Sequence, residues 1–492
     1  MCDFIPSLTN KKQSIRRSVK KRRTTKMAKN LVYDIHDKPN FSKLVVFAIQ
    51  QLLAIMAATI AVPAIVGNGM SASAALFGAG IGTIVYQLFT KFRSPVFLGS
   101  SFAFIGSMLA AFAGAVTAEA GYAGIIIGAI FAGLVYVIIA IVVKYAGVEW
   151  INKLMPASVI GPTVALIGLS LAGAAISDVF SYGEKITFGL SQYFIMSTNI
   201  WISFICAIVT FLVVILVSTY SKKMAKLIPF IIGILAGYAV ALIFTVIGYA
   251  VGNDALKIVD FAPFRALVED GVGVKTFVSL PEFTFVEAIK GIKELDGGYF
   301  LTVAVAYLPV AFVVFAEHLA DHKNLSSIIE KDLLQDPGLH RTLLGDGVGS
   351  IVGAFFGGCP NTTYGESVGC VAITRNASVA TITTTAVMAM LISFISPFVA
   401  FLDSIPGCVM GGVCITLYGF IAVSGLKMIQ KVDLEDNANL FTVSAILIPG
   451  IGGMALAIGK VYITTIACSL ILGIVTNILL NKFKKSDSDK ES

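Results

Sequence analysis

The sequence predicts an all-α integral membrane protein of about fourteen transmembrane segments in two inverted seven-span halves, with short β-strands inside spans three and ten. Three observations predict it. Hydrophobic residues make up 57% of the 492 and charged residues only 13%, with a mean hydropathy of +0.87, far from the composition of a water-soluble domain. Lys and Arg collect in alternate loops. Two spans at matching places in the two halves are interrupted by Gly, Ser or Pro.

Apolar stretches long enough to cross a bilayer centre near 45–67, 72–90, 95–117, 122–143, 156–177, 198–218 and 228–248 in the first half. The second half supplies 299–321, 341–358, 361–375, 378–400, 405–426, 438–456 and 460–480. With the N-terminus inside, the inner loops hold Lys91 and Arg93, Lys144 and Lys153, Lys222, Lys223 and Lys226, Lys323, Lys331 and Arg341, Arg375, then Lys427 and Lys431. The outer ones hold little beyond Lys185 and Lys460. Both termini are then cytoplasmic, and the Asp-, Glu- and Gly-rich stretch 253–298 is an extracellular loop.

The basic start, "MCDFIPSLTNKKQSIRRSVKKRRTTK", lacks the apolar core of a signal peptide and reads as a solvated tail beside anionic lipid headgroups, not as a nucleic-acid arm. Met27 is an alternative start. Most of the net charge of +7 sits in this tail and the inner loops, so it describes topology. Cys2, Cys206, Cys359, Cys370, Cys408, Cys414 and Cys468 are scattered, mostly within spans, and show no disulfide or metal pattern. No cofactor motif is present.

Ionisable residues inside spans are costly and face a cavity or a partner. Span eight ends "VAFVVFAEHLADHKN", where Glu317 and Asp321, four apart, project from one helix face. His318 points elsewhere and His322 is expected at the membrane edge. Asp346, in "LLGDGVGS" of span nine, is either a capping or interhelix hydrogen-bonding residue or a proton carrier. Span three, "SPVFLGSSFAFIGSM", and span ten, "GGCPNTTYGESVG", are the broken pair. Non-helical backbone at membrane depth is tolerated where protein or a water-filled cavity satisfies it.

Such breaks offer backbone N–H donors at half-helix starts, while Glu317 and Glu366, when ionised, only accept. A small flat ligand carrying carbonyls and ring N–H groups satisfies both sets. A nucleobase has them; a sugar also carries both kinds of group, and an inorganic anion is repelled by two carboxylates.

"AEHLADH", "KDLLQDPGLHRTLLGDG" and "PNTTYGESVGCVAITR" resemble the nucleobase/ascorbate transporter family, nearest its bacterial uracil permease branch, and "FLGSSFAFI" and "IPGCVMGGVCITLYGFIAVSG" extend the match over about residues 43–480. The resemblance implies a core domain of spans 1–4 (43–147) and 8–11 (299–402), and a gate domain of spans 5–7 (148–252) and 12–14 (403–482), between tails 1–42 and 483–492. It implies proton-coupled nucleobase uptake at the cell membrane, and homodimers. Carried over, its ligand contacts fall on the carboxylates of Glu317 and Glu366, the backbone N–H groups of Phe102 and Gly365, and Tyr418 from the gate side.

Two positions depart from the uracil pattern. The family's histidine four residues after the first glutamate is Asp321 here, and its histidine in the first span is Gln51. Glu317 with Asp321 resembles the family's xanthine and urate carriers, whereas Glu366, with Ser367 in place of the usual Asn, is the uracil form of the signature. Uracil is therefore the first substrate expected and a purine base the second. Without the histidine, Glu317 and Asp321 are expected to share the coupling proton as a pair, with Asp346 the next candidate. A channel would also use embedded carboxylates but cannot concentrate its solute. Against an intramembrane enzyme, no HExxH or P-loop is present.

Overall fold

The computed structural model describes residues 31–147, 150, 154–188, 191–222, 225–458 and 461–491. The basic tail through residue 30, with Cys2 and Met27, lies outside the described residues, as do Lys153, Lys223 and Lys460. The first half contains α1 (Phe41–Val66), α2 (Ala72–Phe89), strand β1 (Leu98–Ser100), α3 (Ile105–Gly114), α4 (Ala118–Ala146), α5 (Ala157–Ser170), α6 (Ala172–Val179), the hairpin β2 (Lys185–Phe188) and β3 (Ser191–Phe194), α7 (Thr198–Tyr220) and α8 (Pro229–Val251). The second half contains α9 (Gly297–Ile329), α10 (Leu339–Gly357), strand β4 (Asn361–Thr363), α11 (Gly365–Thr374), α12 (Val379–Ile392), α13 (Ser396–Asp403), α14 (Gly407–Ile429), α15 (Asn437–Ile451), the hairpin β5 (Leu456–Ile458) and β6 (Val461–Ile463), and α16 (Thr465–Glu491). Among the described residues, nine helices are long and apolar enough to cross a membrane.

Polar side chains start several of these helices. Ser71 accepts from Ala74 N, Thr117 from Ala120 N, Asp296 from Tyr299 N and Asp436 from Ala438 N, each satisfying an N–H that the helix leaves unpaired. The helices then pack most extensively within two groups, α1–α4 with α9–α12 and α5–α8 with α14–α16. In a bilayer, contact between helices depends on close packing because lipid is as apolar as leucine. At the most extensive such contact, between α2 and α10, a Cβ on Gly78 would lie 2.6 Å from the Gly353 carbonyl oxygen and 3.0 Å from Gly357 Cα. Gly78→Val is therefore expected to lower the unfolding temperature in detergent clearly; an unchanged melting curve would show that the helices part without cost.

The two broken spans meet. β1 pairs antiparallel with β4, Leu98 opposite Thr363, Gly99 opposite Thr362 and Ser100 opposite Asn361. Ser101 N donates to Pro360 O and Tyr364 N to Phe97 O, so the pairing continues past both strand ends. Each strand satisfies the backbone of the other at a depth where water cannot.

Three expectations change. His322, expected at the membrane edge, is 1% exposed, because α9 runs 33 residues and carries this turn on inside the packed helices. Residues 31–37, expected to be part of a free tail, form a strap: Val32 N donates to Arg375 O, Ala377 N to Tyr33 O and Val379 N to Ile35 O. Ile35 is buried against Leu325, Ile329 and Val371, and the Lys331 ammonium, 2.7 Å from the Asp34 carboxylate, holds that carboxyl below its usual range. At the other end, α16 is helical through Glu491, across the segment expected as a tail from residue 483. The described cysteines are free and buried, as packing residues should be.

Candidate functional site: a carboxylate-lined cavity between two helix groups

A cavity of about 400 Å³ lies between the two helix groups, large enough for a small organic molecule. One wall comes from α9, which contributes Glu317 and Asp321 one helical turn apart, as the four-residue spacing requires. A second comes from the broken spans, with Ser101 and Phe102 after β1, and Thr362, Tyr364, Gly365 and Glu366 around the junction of β4 and α11. The opposing wall is apolar, built from Ile160, Val164 and Ile167 of α5, Phe230 of α8 and Leu417, Phe420, Ile421 and Met428 of α14, with Ser424 the polar exception.

Gly365 opens α11, so its backbone N–H belongs to the first turn, where no intrahelical acceptor exists, and Glu366 follows at the positive end of the helix dipole. Phe102 opens a short helical turn in the same way on the other broken span. A Cβ on Gly365 would lie 3.8 Å from Asp321 Oδ1, which places the third carboxylate beside the half-helix start. Asp321 Oδ2 accepts from Thr363 Oγ1 at 2.9 Å. The cavity thus offers backbone donors from the breaks and carboxylate acceptors from Glu317, Asp321 and Glu366.

Of the residues singled out in the sequence, Glu317, Asp321, Phe102, Gly365 and Glu366 line one cavity. Tyr418 does not line it: the residue is 2% exposed and its ring meets Phe102 edge-on, centroids 6.2 Å apart. Asp346 is also set back from it. Its Oδ2 lies 2.8 Å from His318 Nδ1, the interhelix hydrogen bond considered for it in the sequence.

Sequence reasoning missed one link. Gln51 and Ser367, which both depart from the uracil pattern, are partners: Gln51 Nε2 donates to Ser367 Oγ, which also accepts from Phe97 N at 3.0 Å. The two residues are 316 positions apart, and the packing of α11 against α1 brings them together. Residues 365–369 also spell G-x-S-x-G, the letters of a nucleophile elbow. Ser367 Oγ is engaged by an amide and a backbone N–H, not by a histidine, so no triad is assembled on it.

Apolar helices, two broken spans that pair with each other and a carboxylate-lined cavity between helix groups define a multi-pass membrane transport protein, not an enzyme. The chain belongs to the xanthine/uracil permease family, whose model matches residues 42–459. It is 36% identical over 463 residues to the uracil permease of Bacillus subtilis (strain 168), covering 92% of this chain and 96% of that one. The uracil permease of Escherichia coli (strain K12) is 33% identical over 447 residues, 90% of this chain and 93% of that one. Among solved structures, the transmembrane domain of the cyanobacterial bicarbonate transporter BicA matches with a TM-score of 0.55 at 14% identity, covering 90% of this chain and 98% of that one. The structure of SLC26A9 matches with a TM-score of 0.59 at 12% identity, covering 90% of this chain and 65% of that one. At such low identity the likeness is one of fold.

Proposed function

We propose that the chain imports uracil across the cell membrane by proton symport, and that a purine base of the xanthine type is the alternative substrate. The observation that carries this reading is the convergence of Glu317 and Glu366 with the half-helix starts at Phe102 and Gly365 on one cavity. The carboxylates accept from ring N–H groups and the backbone donors face a carbonyl, a division of roles that a nucleobase meets and an inorganic anion does not. The names of the Bacillus and Escherichia relatives support uracil.

In this reading fourteen spans form two inverted repeats, with spans 1–4 and 8–11 as core and spans 5–7 and 12–14 as gate. The core rocks against the gate around the cavity, Glu317 and Asp321 share the coupling proton, both termini are cytoplasmic and the protein works as a homodimer. Tyr418 contributes from the gate side by packing against Phe102. Lipid and proton are its other partners.

Uptake of labelled uracil and, in parallel, xanthine into proteoliposomes under an imposed inward proton gradient tests the reading. Uracil accumulation abolished by an uncoupler supports it; xanthine accumulation alone would assign substrate choice to Glu317 with Asp321. Flux that never exceeds equilibration would mean a passive channel. Cytosine supplies a check on the donor assignment. Its amino group replaces a carbonyl and leaves a buried N–H unpaired, at about 1–3 kcal/mol, so cytosine is expected to compete roughly 5- to 150-fold more weakly than uracil. Equal competition would mean that the backbone donors do not face the carbonyl.

A further inference from the structure

The carboxylates of the cavity stand on two helices that a third segment braces from a distance. Glu317 and Asp321 belong to α9 and Glu366 to α11. α11 runs only from Gly365 to Thr374, and a helix that short is marginal by itself, so its neighbours decide where Glu366 stands. At the end of α11 away from the cavity, the strap of residues 31–37 is such a neighbour.

The strap pairs in parallel with the chain that follows α11, Tyr33 opposite Asn376. Val32 N donates to Arg375 O at 2.8 Å, Ala377 N to Tyr33 O at 2.9 Å and Val379 N to Ile35 O at 3.0 Å. Arg375 caps α11 in the left-handed region, at φ 55°, so the first of these bonds holds the helix end itself. The strap also reaches α9 and α1. The Lys331 ammonium, just past α9, meets the Asp34 carboxylate, and the Tyr33 ring meets Phe47 of α1 edge-on, centroids 5.9 Å apart. Between these anchors Ile35, 5% exposed, shares one buried cluster with Leu325 and Ile329 of α9, Val368 and Val371 of α11, and Leu98 of β1. A branched side chain packed between two helices fixes their separation, because a close-packed interior gives way when carbons are removed from it.

Ile35 does not line the cavity. Ile329 is eight residues from Asp321 and Val371 five from Glu366, about 12 Å and about 8 Å along their helices, so an effect of Ile35 on a bound base travels through the two helices.

We propose that the strap sets the separation of α9 and α11, with Ile35 as the positioning residue, and that this separation governs how tightly Glu317, Asp321 and Glu366 hold a base; this rests on the nucleobase reading above. Truncating Ile35 lets α11 move relative to α9, and a ligand held by carboxylates on both helices loses its fit to one of them.

The test uses the purified full-length protein and two readouts, equilibrium binding of labelled uracil and hydrogen–deuterium exchange of the backbone amides of α11. Ile35→Ala is expected to weaken binding roughly tenfold, the scale of one hydrogen bond to a charged group, with the number of sites per protein unchanged. Ile35→Val, which removes one carbon, should fall between Ile35→Ala and wild type and keeps the test readable where the alanine variant is unstable. Amides of residues 365–371 should exchange faster in both variants while those of α7 keep their wild-type rate. Wild-type affinity in both variants overturns the inference, and so does wild-type exchange in α11. Fewer sites at an unchanged dissociation constant would mark Ile35 as a folding residue only and overturns it equally. Xanthine bound in place of uracil would correct the substrate, and the same ratios are then taken with xanthine. A wild type that binds neither base would overturn the nucleobase reading, whereas exchange in α11, which needs no ligand, still tests the strap.

Discussion

Glu366→Gln is expected to abolish uracil transport at micromolar substrate while leaving the protein folded. The amide keeps the shape of the carboxylate but loses its charge and one acceptor. A hydrogen bond to a charged group contributes about 1.5–3 kcal/mol, so the half-saturating concentration should rise roughly 10- to 150-fold. Glu366 stands in the first turn of α11, where the helix dipole favours a negative charge, so the substitution also removes an interaction local to the half-helix. That second loss affects stability and not recognition, and the melting temperature separates the two. Uracil uptake by Glu366→Gln at the wild-type level would remove Glu366 from the binding set. A gain of xanthine uptake in the same variant would assign the choice between uracil and a purine base to this position.

Asp321→Asn is expected to exchange uracil across the membrane and fail to accumulate it. The side chain keeps its shape, and its amide oxygen can still accept from Thr363 Oγ1, so the wall of the cavity is preserved. What it loses is the ability to take up a proton. A carrier moves its solute uphill only when binding of the driving ion differs between its two faces. With that group neutral at every pH, the inside concentration should approach the outside one and stay there. Counterflow of labelled uracil against an unlabelled internal pool measures the retained exchange. Full accumulation in Asp321→Asn would show that the proton does not use this residue, and would leave Asp346 as the next candidate.

The fold and the cavity were legible in the sequence to different degrees. Apolar stretches fell on helices because a helix must satisfy its own backbone in lipid and needs about 20 residues to cross it. The Glu317–Asp321 spacing was readable because one helix sets the geometry between its own residues, whatever packs around it. The breaks at Gly99 and Pro360 were visible as letters, and their matching places in the two halves pointed to a site. Their pairing, Gly99 opposite Thr362, could only be inferred from symmetry.

Other placements were not legible for a common reason. His322 was assigned to the membrane edge from its distance along α9, but neighbouring helices cover that turn and leave it 1% exposed. Tyr418 sits one residue from Leu417, which lines the cavity, yet its ring is turned against Phe102. The strap at residues 31–37 carries no apolar run to announce it, and its hydrogen bonds go to a segment more than 300 positions away.

The sequence by itself determined membrane residence, the two half-helices and the carboxylates at Glu317, Asp321 and Glu366, since all of these follow from composition and from patterns within single elements. Only the tertiary structure decided that β1 and β4 share one ladder, that Gln51 reaches Ser367, and that His318 meets Asp346 with one ring nitrogen and Thr342 with the other. These are contacts between side chains far apart in the chain. No local pattern encodes them, because the distance between two helices is set by the small residues packed where they touch.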